Sequence, residues 1–251
     1  MRRIRLYSDQ PMQTDDLIEL EGRPAHHLLR VLRRRAGDHV TLFNGDGQEH
    51  EGRITELTGR DRCRLQLTRS TRPDAESPLE ITLIQAVGRG DRMDWALQKS
   101  VELGVARLQP VLSERTEVRL AGSRADKRMA HWQSVVIAAC EQSGRVRIPT
   151  LHPLCDIGEV GAAPSMDALS LYLDPEGEGR LDDLNEPGGK AIRLAVGPEG
   201  GFSDRDMKGL RQSGFVGMKL GPRVLRTETA GPAVLAILQS RWGDLSGAPS
   251  P

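Results

Sequence analysis

The sequence predicts an α/β protein with a small β-barrel domain ahead of a larger domain that is built on a mainly parallel sheet. Over residues 1–68, short apolar runs alternate with turn residues at the spacing typical of small barrels. After Pro78, strands alternate with helices, which indicates a mainly parallel sheet with helices on both faces. The polar stretch between these regions contains two prolines and is typical of a linker. We therefore divide the chain into a barrel (1–72), a linker (73–78), a second domain (79–245) and a disordered tail (246–251).

The first domain is predicted to consist of short strands interrupted by one helix. Asn44-Gly45-Asp46-Gly47 is typical of a hairpin turn between two of these strands. The helix is expected from about Pro24 to Arg35, because proline suits its first turn and Gly37 follows its end. The strands are predicted at Arg3–Tyr7, Leu17–Leu20, Val40–Phe43, His50–Leu57 and Arg62–Thr68.

The last helix of the second domain is apolar on every side, since Ala233–Leu238 is an unbroken apolar run. Such a helix is buried on all sides, which favours a homodimer in which a second subunit covers one face; cover by the chain's own loops is the alternative. The other predicted elements are strands Glu80–Val87, Arg107–Leu112, Ala168–Leu173, Ile192–Val196 and Val216–Leu220, and helices Arg92–Leu103, Ser123–Ser143 and Asp204–Gln212.

Composition excludes few classes of function. The 35 basic and 35 acidic residues balance, although residues 1–72 carry 14 arginines, no lysine and only 11 acidic residues. Cys63, Cys140 and Cys155 lie far apart, which suggests reduced thiols and no metal site. No apolar run is long enough to span a membrane, and the N-terminus lacks the apolar core of a signal peptide. We expect a cytoplasmic protein.

Two glycine-rich turns, Gly197–Gly201 and Gly221–Arg223, each follow an apolar strand. Ligand sites form where parallel strands end, and glycine lets the backbone approach a ligand closely. Neither turn is a Walker A loop, and Gly88-Arg89-Gly90 lacks the third glycine of a dinucleotide motif because Met93 stands in its place. Tight geometry alone explains any single turn, but two such turns favour a small-molecule site.

Three polar groupings leave alternatives open. The run Arg30–Arg35 is suited to phosphate contacts by its charge, or is a solvated helix face. Glu141–Arg145 ends a helix and is either a cap or part of a site. Lys99 and Glu102 are one helical turn apart, so they either pair with each other or face a cleft.

Four segments carry a resemblance to a known family: Val196–Ser203, Leu220–Ala230, Gln98–Gly104 and Ala138–Arg145. Together they resemble RsmE, the bacterial ribosomal RNA small-subunit methyltransferase E, over nearly the whole chain. The resemblance implies a SPOUT-class enzyme whose C-terminal trefoil-knot domain binds S-adenosylmethionine (SAM) and whose N-terminal PUA-like barrel binds RNA. It also implies a homodimer without metal that makes N3-methyluridine in 16S rRNA, as naked RNA or in the assembled small subunit.

The resemblance places SAM-binding residues at three strand ends. Backbone groups in bent loops can recognise adenine edges while apolar side chains hold the ring. The implied SAM-binding residues are Leu171, Leu173, Gly197, Glu199, Gly200, Leu220, Gly221, Val224, Leu225, Arg226 and Thr227.

The implied chemistry needs help at the uridine, because N3 carries a proton and is a poor nucleophile until it loses it. Arg226 is the candidate for stabilising negative charge on the base, while Glu199 or Glu228 either takes the proton or orients a loop. The arginines expected to position RNA through its phosphates are Arg2, Arg3, Arg5, Arg33, Arg34, Arg35 and Arg145. Two alternatives stay open: a ribose 2′-O methyltransferase of the same class, and a non-catalytic RNA-binding protein.

Overall fold

The computed structural model describes residues 4–161 and 168–245, which form two compact units. The first unit runs to Glu76 and also contains Cys140–Ile148; the second contains Ser77–Ala139 and the chain from Pro149 onward. The sequence-based division assigned residues 140–148 to the second domain, whereas the structure packs them with the first. Arg2, Arg3 and the tail 246–251 lie outside the described residues.

The first unit is built on a five-stranded sheet in the order β1-β3-β4-β5-β2. Strands β1 and β3 pair in parallel, and the other pairs are antiparallel. Buried and exposed residues alternate along β2. Ile18 and Leu20 are buried in the core between exposed neighbours, as expected of a strand with one covered face. The elements are β1 (Arg5–Tyr7), β2 (Leu17–Glu21), α1 (Gly22–His26), β3 (His39–Phe43), β4 (Glu49–Gly59) and β5 (Arg62–Thr71).

The predicted helix Pro24–Arg35 is shorter and less regular than the sequence suggested. The α-helix stops early, and the chain continues as one π-helical turn, His27–Val31. The segment closes at Arg33, whose φ of 54° lies in the left-handed region, so that the Arg34 N–H reaches the Leu28 carbonyl at 3.0 Å. Glycine usually occupies this position at the end of a helix. Because the position holds arginine here, the early end of the helix could not be predicted from the sequence.

Arg5 is a structural residue of the first unit. Its side chain is 8% exposed and its Nε lies 3.3 Å from Oε2 of Glu49, which is itself 6% exposed. Its guanidinium also donates to the carbonyls of Cys140 (2.8 Å) and Arg145 (3.0 Å) and stacks over the Phe43 ring. The expectation that Arg5 contacts RNA is therefore corrected, because its donors are engaged inside the unit.

Arg145 is held in the same way. Its side chain is 6% exposed, and its Nη2 lies 2.7 Å from Oε2 of Glu76. The other oxygen of Glu76 accepts the Val146 N–H at 3.0 Å, while Oε1 of Glu141 accepts the Tyr7 N–H at 2.9 Å. The polar cluster at the end of this helix thus fastens residues 140–148 to the first unit, and Arg145 is not an accessible RNA contact.

The second unit is an α/β layer structure whose strand pairs are all parallel, as predicted. Its eight-stranded sheet has the order β11-β13-β10-β12-β6-β7-β8, with β9 paired to β7. The elements are β6 (Glu80–Ala86), α2 (Arg92–Glu102), β7 (Arg107–Leu112), α3 (Ser123–Ser143), β8 (Thr150–Leu151), β9 (Cys155–Asp156), β10 (Leu169–Leu173), β11 (Gly179–Arg180), β12 (Ala191–Val196), α4 (Asp204–Gln212), β13 (Val216–Lys219) and α5 (Thr227–Trp242).

The path between the last elements brings two turns to one edge of this sheet. Strand β13 lies on the far side of β10 from β12, yet α5, which follows β13, packs against β12 and α2. The chain therefore turns back across β10, the kind of return that a knotted connection requires. Because the strands are parallel, the carboxyl ends of β6, β10, β12 and β13 meet at the same edge.

Helix α5 has one covered face and one half-open face. Val234, Leu235 and Leu238 are buried, whereas Ala236 and Ile237 are half-buried. The expectation that the helix is buried on all sides is therefore not met by this chain alone.

Smaller features of the described residues fit the composition. All three cysteines are free thiols, and burial raises the pKa of Cys140 to about 12. Lys99 pairs with Glu102 at 2.9 Å, which decides that alternative in favour of an intrahelical ion pair. Within residues 4–161 and 168–245, no cluster of His, Cys, Asp and Glu suits a metal ion, and no helix is long and apolar enough to cross a membrane.

Replacing Arg5 by alanine tests its structural role. Arg5→Ala removes the ion pair between Arg5 and the buried Glu49 carboxylate, and we expect a loss of about 3 kcal/mol in the free energy of unfolding. Urea denaturation measures it, with Arg35→Ala, an exposed arginine of the same unit, as the near-neutral control. Unchanged stability together with weaker RNA binding would contradict the assignment.

Candidate functional site

A cleft of about 980 Å³ opens at the carboxyl edge of the sheet in the second unit. Its walls are the turn after β12, residues 197–202, the turn after β13, residues 220–226, and the end of β10, residues 173–176. Arginines that follow β6 and β7 complete the rim. The two glycine turns that the sequence singled out therefore share one hollow.

A single hydroxyl joins the two turns. Thr227, the first residue of α5, donates its Oγ1 proton to the Gly197 carbonyl at 2.6 Å. The same oxygen accepts a hydrogen bond from Nε2 of Gln85 at 2.9 Å. Thr227 is 7% exposed and Gln85 2% exposed, so water does not compete with either bond. These two bonds link the end of β6, the turn after β12 and the start of α5.

Gly197 and Gly201 of the first turn cannot readily be replaced by residues that carry a side chain, each for a different reason. A Cβ on Gly197 would lie 3.0 Å from backbone atoms of Gly201 and Phe202. Gly201 has a φ of 68°, which favours glycine, and its N–H closes the turn on the Pro198 carbonyl at 2.9 Å. These glycines are required by backbone geometry, whatever ligand the turn binds.

The residues after this turn fix its exit and its outer side. Ser203 caps α4: its hydroxyl accepts the Asp206 N–H, and the Asp206 carboxylate accepts the Ser203 N–H, both at 3.1 Å. This reciprocal pair is the capping box expected of a serine followed three residues later by an acidic residue. Arg115 donates to the Gly200 carbonyl at 2.9 Å from the neighbouring rim.

Glu199 is held as a carboxylate inside the cleft. It accepts the Arg89 N–H at 2.9 Å and pairs with the guanidinium of Arg92. Burial, the largest single influence, raises the Glu199 pKa, but the hydrogen bonds from Arg89 and Arg92 outweigh it and hold the pKa below its ordinary value. Glu199 is accordingly a weak proton acceptor at neutral pH.

Arg226 and Glu228 have very different surroundings. The Arg226 side chain is 79% exposed and its Nη1 lies 3.9 Å from Oε1 of Glu228. Glu228 is 16% exposed; its Oε2 lies 3.9 Å from Nε of Arg92 and has no hydrogen-bond partner among the described residues. The cleft thus offers an exposed cation, Arg226, and a carboxylate oxygen of Glu228 that accepts no hydrogen bond from the described residues.

The structure brings all but one of the candidate cofactor and catalytic residues to the cleft. Leu171 is the exception: it lies two residues before the end of β10, fully buried, in register with Leu194 of β12 and Val216 of β13. The residues that line the cleft are Leu173, Gly197, Glu199, Gly200, Leu220, Gly221, Val224, Leu225, Arg226, Thr227 and Glu228.

Sequence reasoning missed the arginines of the rim, Arg89, Arg92 and Arg115. Arg89 lies between two glycines just after β6, and Arg115 follows β7. A signal was available, because the carboxyl ends of neighbouring parallel strands share one edge. Extending that rule from the glycine turns to β6 and β7 would have found all three.

Comparison with known proteins gives the same assignment at both ends of the chain. Residues 75–239 match the family model for an RNA methyltransferase domain, and residues 20–68 match that for an RNA methyltransferase PUA domain. The ribosomal RNA small subunit methyltransferase E of Buchnera aphidicola subsp. Schizaphis graminum is 32% identical over 96% of this chain and 98% of its own length. The chain belongs to the ribosomal RNA small subunit methyltransferase E family.

Solved structures of the methyltransferase E family and its relatives have the same fold. One from Neisseria gonorrhoeae, bound to S-adenosylmethionine, has a TM-score of 0.90 and 40% identity, covering 97% of this chain and 100% of its own. A methyltransferase from Legionella pneumophila in complex with the same cofactor has a TM-score of 0.92 and 37% identity, covering 98% and 100%. The predicted fold class, an α/β methyltransferase domain with a parallel sheet after a PUA-like domain, is confirmed.

The lowered Glu199 pKa gives a pH-dependent prediction. Glu199→Gln removes a charge that the fold stabilises, so wild type should melt roughly 1 to 2 °C higher at neutral pH. That advantage is fully present above the ordinary carboxyl pKa of 4.5 and disappears as the pH falls through the lowered value. Thermal melts of both proteins across this range measure it; a difference that persists in acid would show another origin.

Proposed function

We propose that this chain transfers a methyl group from S-adenosylmethionine to uridine N3 in 16S rRNA of the small ribosomal subunit. The observation that carries the proposal is the single cleft in which the two glycine turns meet, joined from Thr227 to Gly197. The chain that forms this cleft is 40% identical to a family member whose structure was solved with that cofactor bound.

The residues of the cleft suit this cofactor. Its adenine has donor and acceptor edges, which the backbone groups of the bent turns can pair with, while the ring needs apolar walls such as Leu173 and Leu225. Oε2 of Glu228, which has no hydrogen-bond partner among the described residues and lies 3.9 Å from Nε of Arg92, supplies a negative group for a cationic ligand. When bound, S-adenosylmethionine supplies an electrophilic methyl group on a sulfonium sulfur.

The uridine N3 proton has one favoured acceptor. The Glu199 carboxylate is engaged by Arg89 and Arg92, and its lowered pKa makes it a poor base. Glu228 keeps a carboxylate oxygen without a hydrogen-bond partner among the described residues, so we assign proton acceptance to Glu228 and a positioning role to Glu199. Arg226, exposed at the mouth, stabilises the negative charge that develops on the uracil ring.

The first unit offers a surface for RNA phosphates. Arg33 and Arg35 are exposed, Arg34 is half-buried, and Arg30 makes only a loose 3.9 Å ion pair with Asp61. The left-handed backbone of Arg33 costs about 1 kcal/mol relative to glycine. The presence of arginine at a position where glycine would be less strained supports a role for the Arg33 side chain.

The half-open face of α5 supports a homodimer. The apolar side chains of Ala233, Ala236 and Ile237 are only half-buried, whereas Val234, Leu235 and Leu238 of the same helix are buried. We assign a second copy of this chain as its cover, and a solution mass of twice 27.6 kDa is the expected observation. Ribosomal RNA as substrate also implies that the enzyme works in the cytoplasm.

The direct test of the activity uses RNA that lacks the modification. Small subunits and naked 16S rRNA from a strain without the enzyme are incubated with the protein and S-adenosylmethionine, and the nucleosides are analysed by mass spectrometry. N3-methyluridine is the expected product. A 2′-O-methylated nucleoside would favour the ribose enzyme, and calorimetry without cofactor binding would favour a non-catalytic RNA-binding protein.

Removing Arg226 tests its role in catalysis. Arg226→Ala should lower kcat about 100-fold, because one preorganised stabiliser of developing charge is lost, while the Kd for S-adenosylmethionine changes about twofold or less, because the side chain is largely exposed. Arg205→Ala, an exposed arginine on α4 away from the cleft wall, is the matched control. Near wild-type kcat and Kd in the Arg226 variant would disprove the assignment.

Replacing Arg33 by glycine separates stability from RNA binding. Arg33→Gly should raise the free energy of unfolding by about 1 kcal/mol by relieving the left-handed backbone. It should also weaken RNA binding and reduce the slope of log K against log salt by about 1. Arg35→Ala should weaken RNA binding without the gain in stability. A stabilised Arg33 variant with unchanged RNA affinity would show that this arginine does not contact RNA.

A further inference from the structure

We propose that Gln85 is a positioning residue of the methyl-donor cleft, which acts by setting the direction of the hydrogen bonds from β6 through Thr227 to the first glycine turn. Gln85 does not line the cleft, so its influence passes through Thr227, which does. The inference deepens the proposed function and rests on it.

The orientation of the Gln85 amide follows from its neighbours. Nε2 donates to the Ala86 carbonyl at 3.1 Å and to Oγ1 of Thr227 at 2.9 Å. A carbonyl oxygen can only accept. Turning the amide over would set Oε1 against the Ala86 carbonyl, two acceptors in contact at a buried site. The nitrogen must therefore face Ala86 and Thr227.

This orientation determines where the Thr227 proton goes. A hydroxyl has one proton and accepts through its lone pairs, and the Thr227 oxygen already accepts from Gln85. Its proton is therefore free for the Gly197 carbonyl, which can only accept and lies 2.6 Å away. The hydrogen bonds therefore run in one direction: Gln85 donates to Thr227, and Thr227 donates to Gly197.

The end of this chain of hydrogen bonds lies at the base of the cleft. Gly197 begins the turn that carries Glu199, and a Cβ built on Gly88, just after β6, would lie 3.5 Å from Cγ2 of Thr227 and 3.6 Å from Oε1 of Glu199. A shift of the Gly197 carbonyl would therefore move the Glu199 turn against its neighbours. Thr227 also starts α5, so the same hydroxyl places the end of the second turn.

A packing role alone would not select glutamine at this position. Gln85 is 2% exposed, and its Oε1 has no hydrogen-bond partner among the described residues. A buried amide oxygen without a partner costs stability, and methionine of similar length would avoid that cost. The amide is retained, we infer, because the cleft needs its N–H groups.

The first test removes the donor and keeps the bulk of the side chain. Gln85→Met should weaken S-adenosylmethionine binding roughly three- to tenfold by calorimetry, while the melting temperature stays equal or rises. Thr227→Val, which replaces the hydroxyl by a methyl group, should weaken binding similarly, and Thr227→Ser should restore it. A purely structural role predicts the opposite for Gln85→Met: a lower melting temperature with unchanged affinity.

The second test reverses the direction of the bonds. In Gln85→Glu, an ionised carboxylate accepts a hydrogen bond from the Thr227 hydroxyl, which then no longer donates to the Gly197 carbonyl, whereas a protonated carboxyl has one O–H that can still donate to Thr227. The ratio of the variant Kd to the wild-type Kd should be high near pH 8 and fall toward one near about pH 6, since burial raises a carboxyl pKa. Arg92, Glu199 and Glu228, the charged groups around the network, are present in both proteins, so their titration and that of the cofactor cancel in the ratio.

The outcomes separate this inference from the proposed function. Wild type that binds no S-adenosylmethionine defeats the proposed function. Wild type that binds it, with Gln85→Met and Gln85→Glu binding equally well at every pH, overturns only the role of Gln85. If the Gln85→Glu variant does not fold, the Gln85→Met and Thr227→Val variants decide. The inference is overturned if their loss of binding is explained entirely by a smaller fraction of folded protein.

Discussion

The hydrogen bond from the Thr227 hydroxyl to the Gly197 carbonyl is the constraint on which the site depends. It closes a 30-residue separation along the chain between turns that follow two strands with β10 between them. Glycine-rich turns are flexible in isolation, and ordering them costs conformational entropy. A buried hydroxyl with a fixed donor on one side and a fixed acceptor on the other offsets that cost where the two walls of the cleft meet.

Four of the arginines proposed as functional residues differ sharply in burial. Arg5 and Arg145 are nearly inaccessible and are bound to Glu49, Glu76 and backbone carbonyls, so they serve the architecture of the first unit. Arg33 and Arg226 are exposed, and neither has a close hydrogen-bonded carboxylate among the described residues. Guanidinium groups of the first kind are costly to bury unless paired, which is why their carboxylates lie beside them; those of the second kind remain available to anionic ligands.

Much of the fold could be predicted because its patterns are local. The longer strands of the second unit are rich in apolar residues, and the turns after β12 and β13 carry the glycines that their backbones require. Ser203 and Asp206, three residues apart, have the spacing of a capping box and so predict the start of α4. The family resemblance supplied what local patterns do not contain, namely which ligand the turns bind.

The failures have a common cause, which is that burial depends on residues far away in the sequence. Nothing near Arg5 indicates that Cys140 and Arg145 will present carbonyls to it. Leu171 and Leu173 have the same pattern, and only the position of the strand end puts one in the sheet and the other in the cleft. Gln85 was overlooked because a single amide in an apolar strand carries no motif.

The attachment of residues 140–148 to the first unit has a consequence for the order of folding during synthesis. Domains generally fold as units as the chain leaves the ribosome, beginning at the N-terminus. Here the first unit cannot complete the hydrogen bonds of Arg5 or the ion pair of Glu76 until residues 140–148 have emerged, by which time β6, α2 and β7 of the second unit have already been made. The two units therefore do not complete in sequence order, because the first unit depends on a segment that is translated about seventy residues after its last strand, β5.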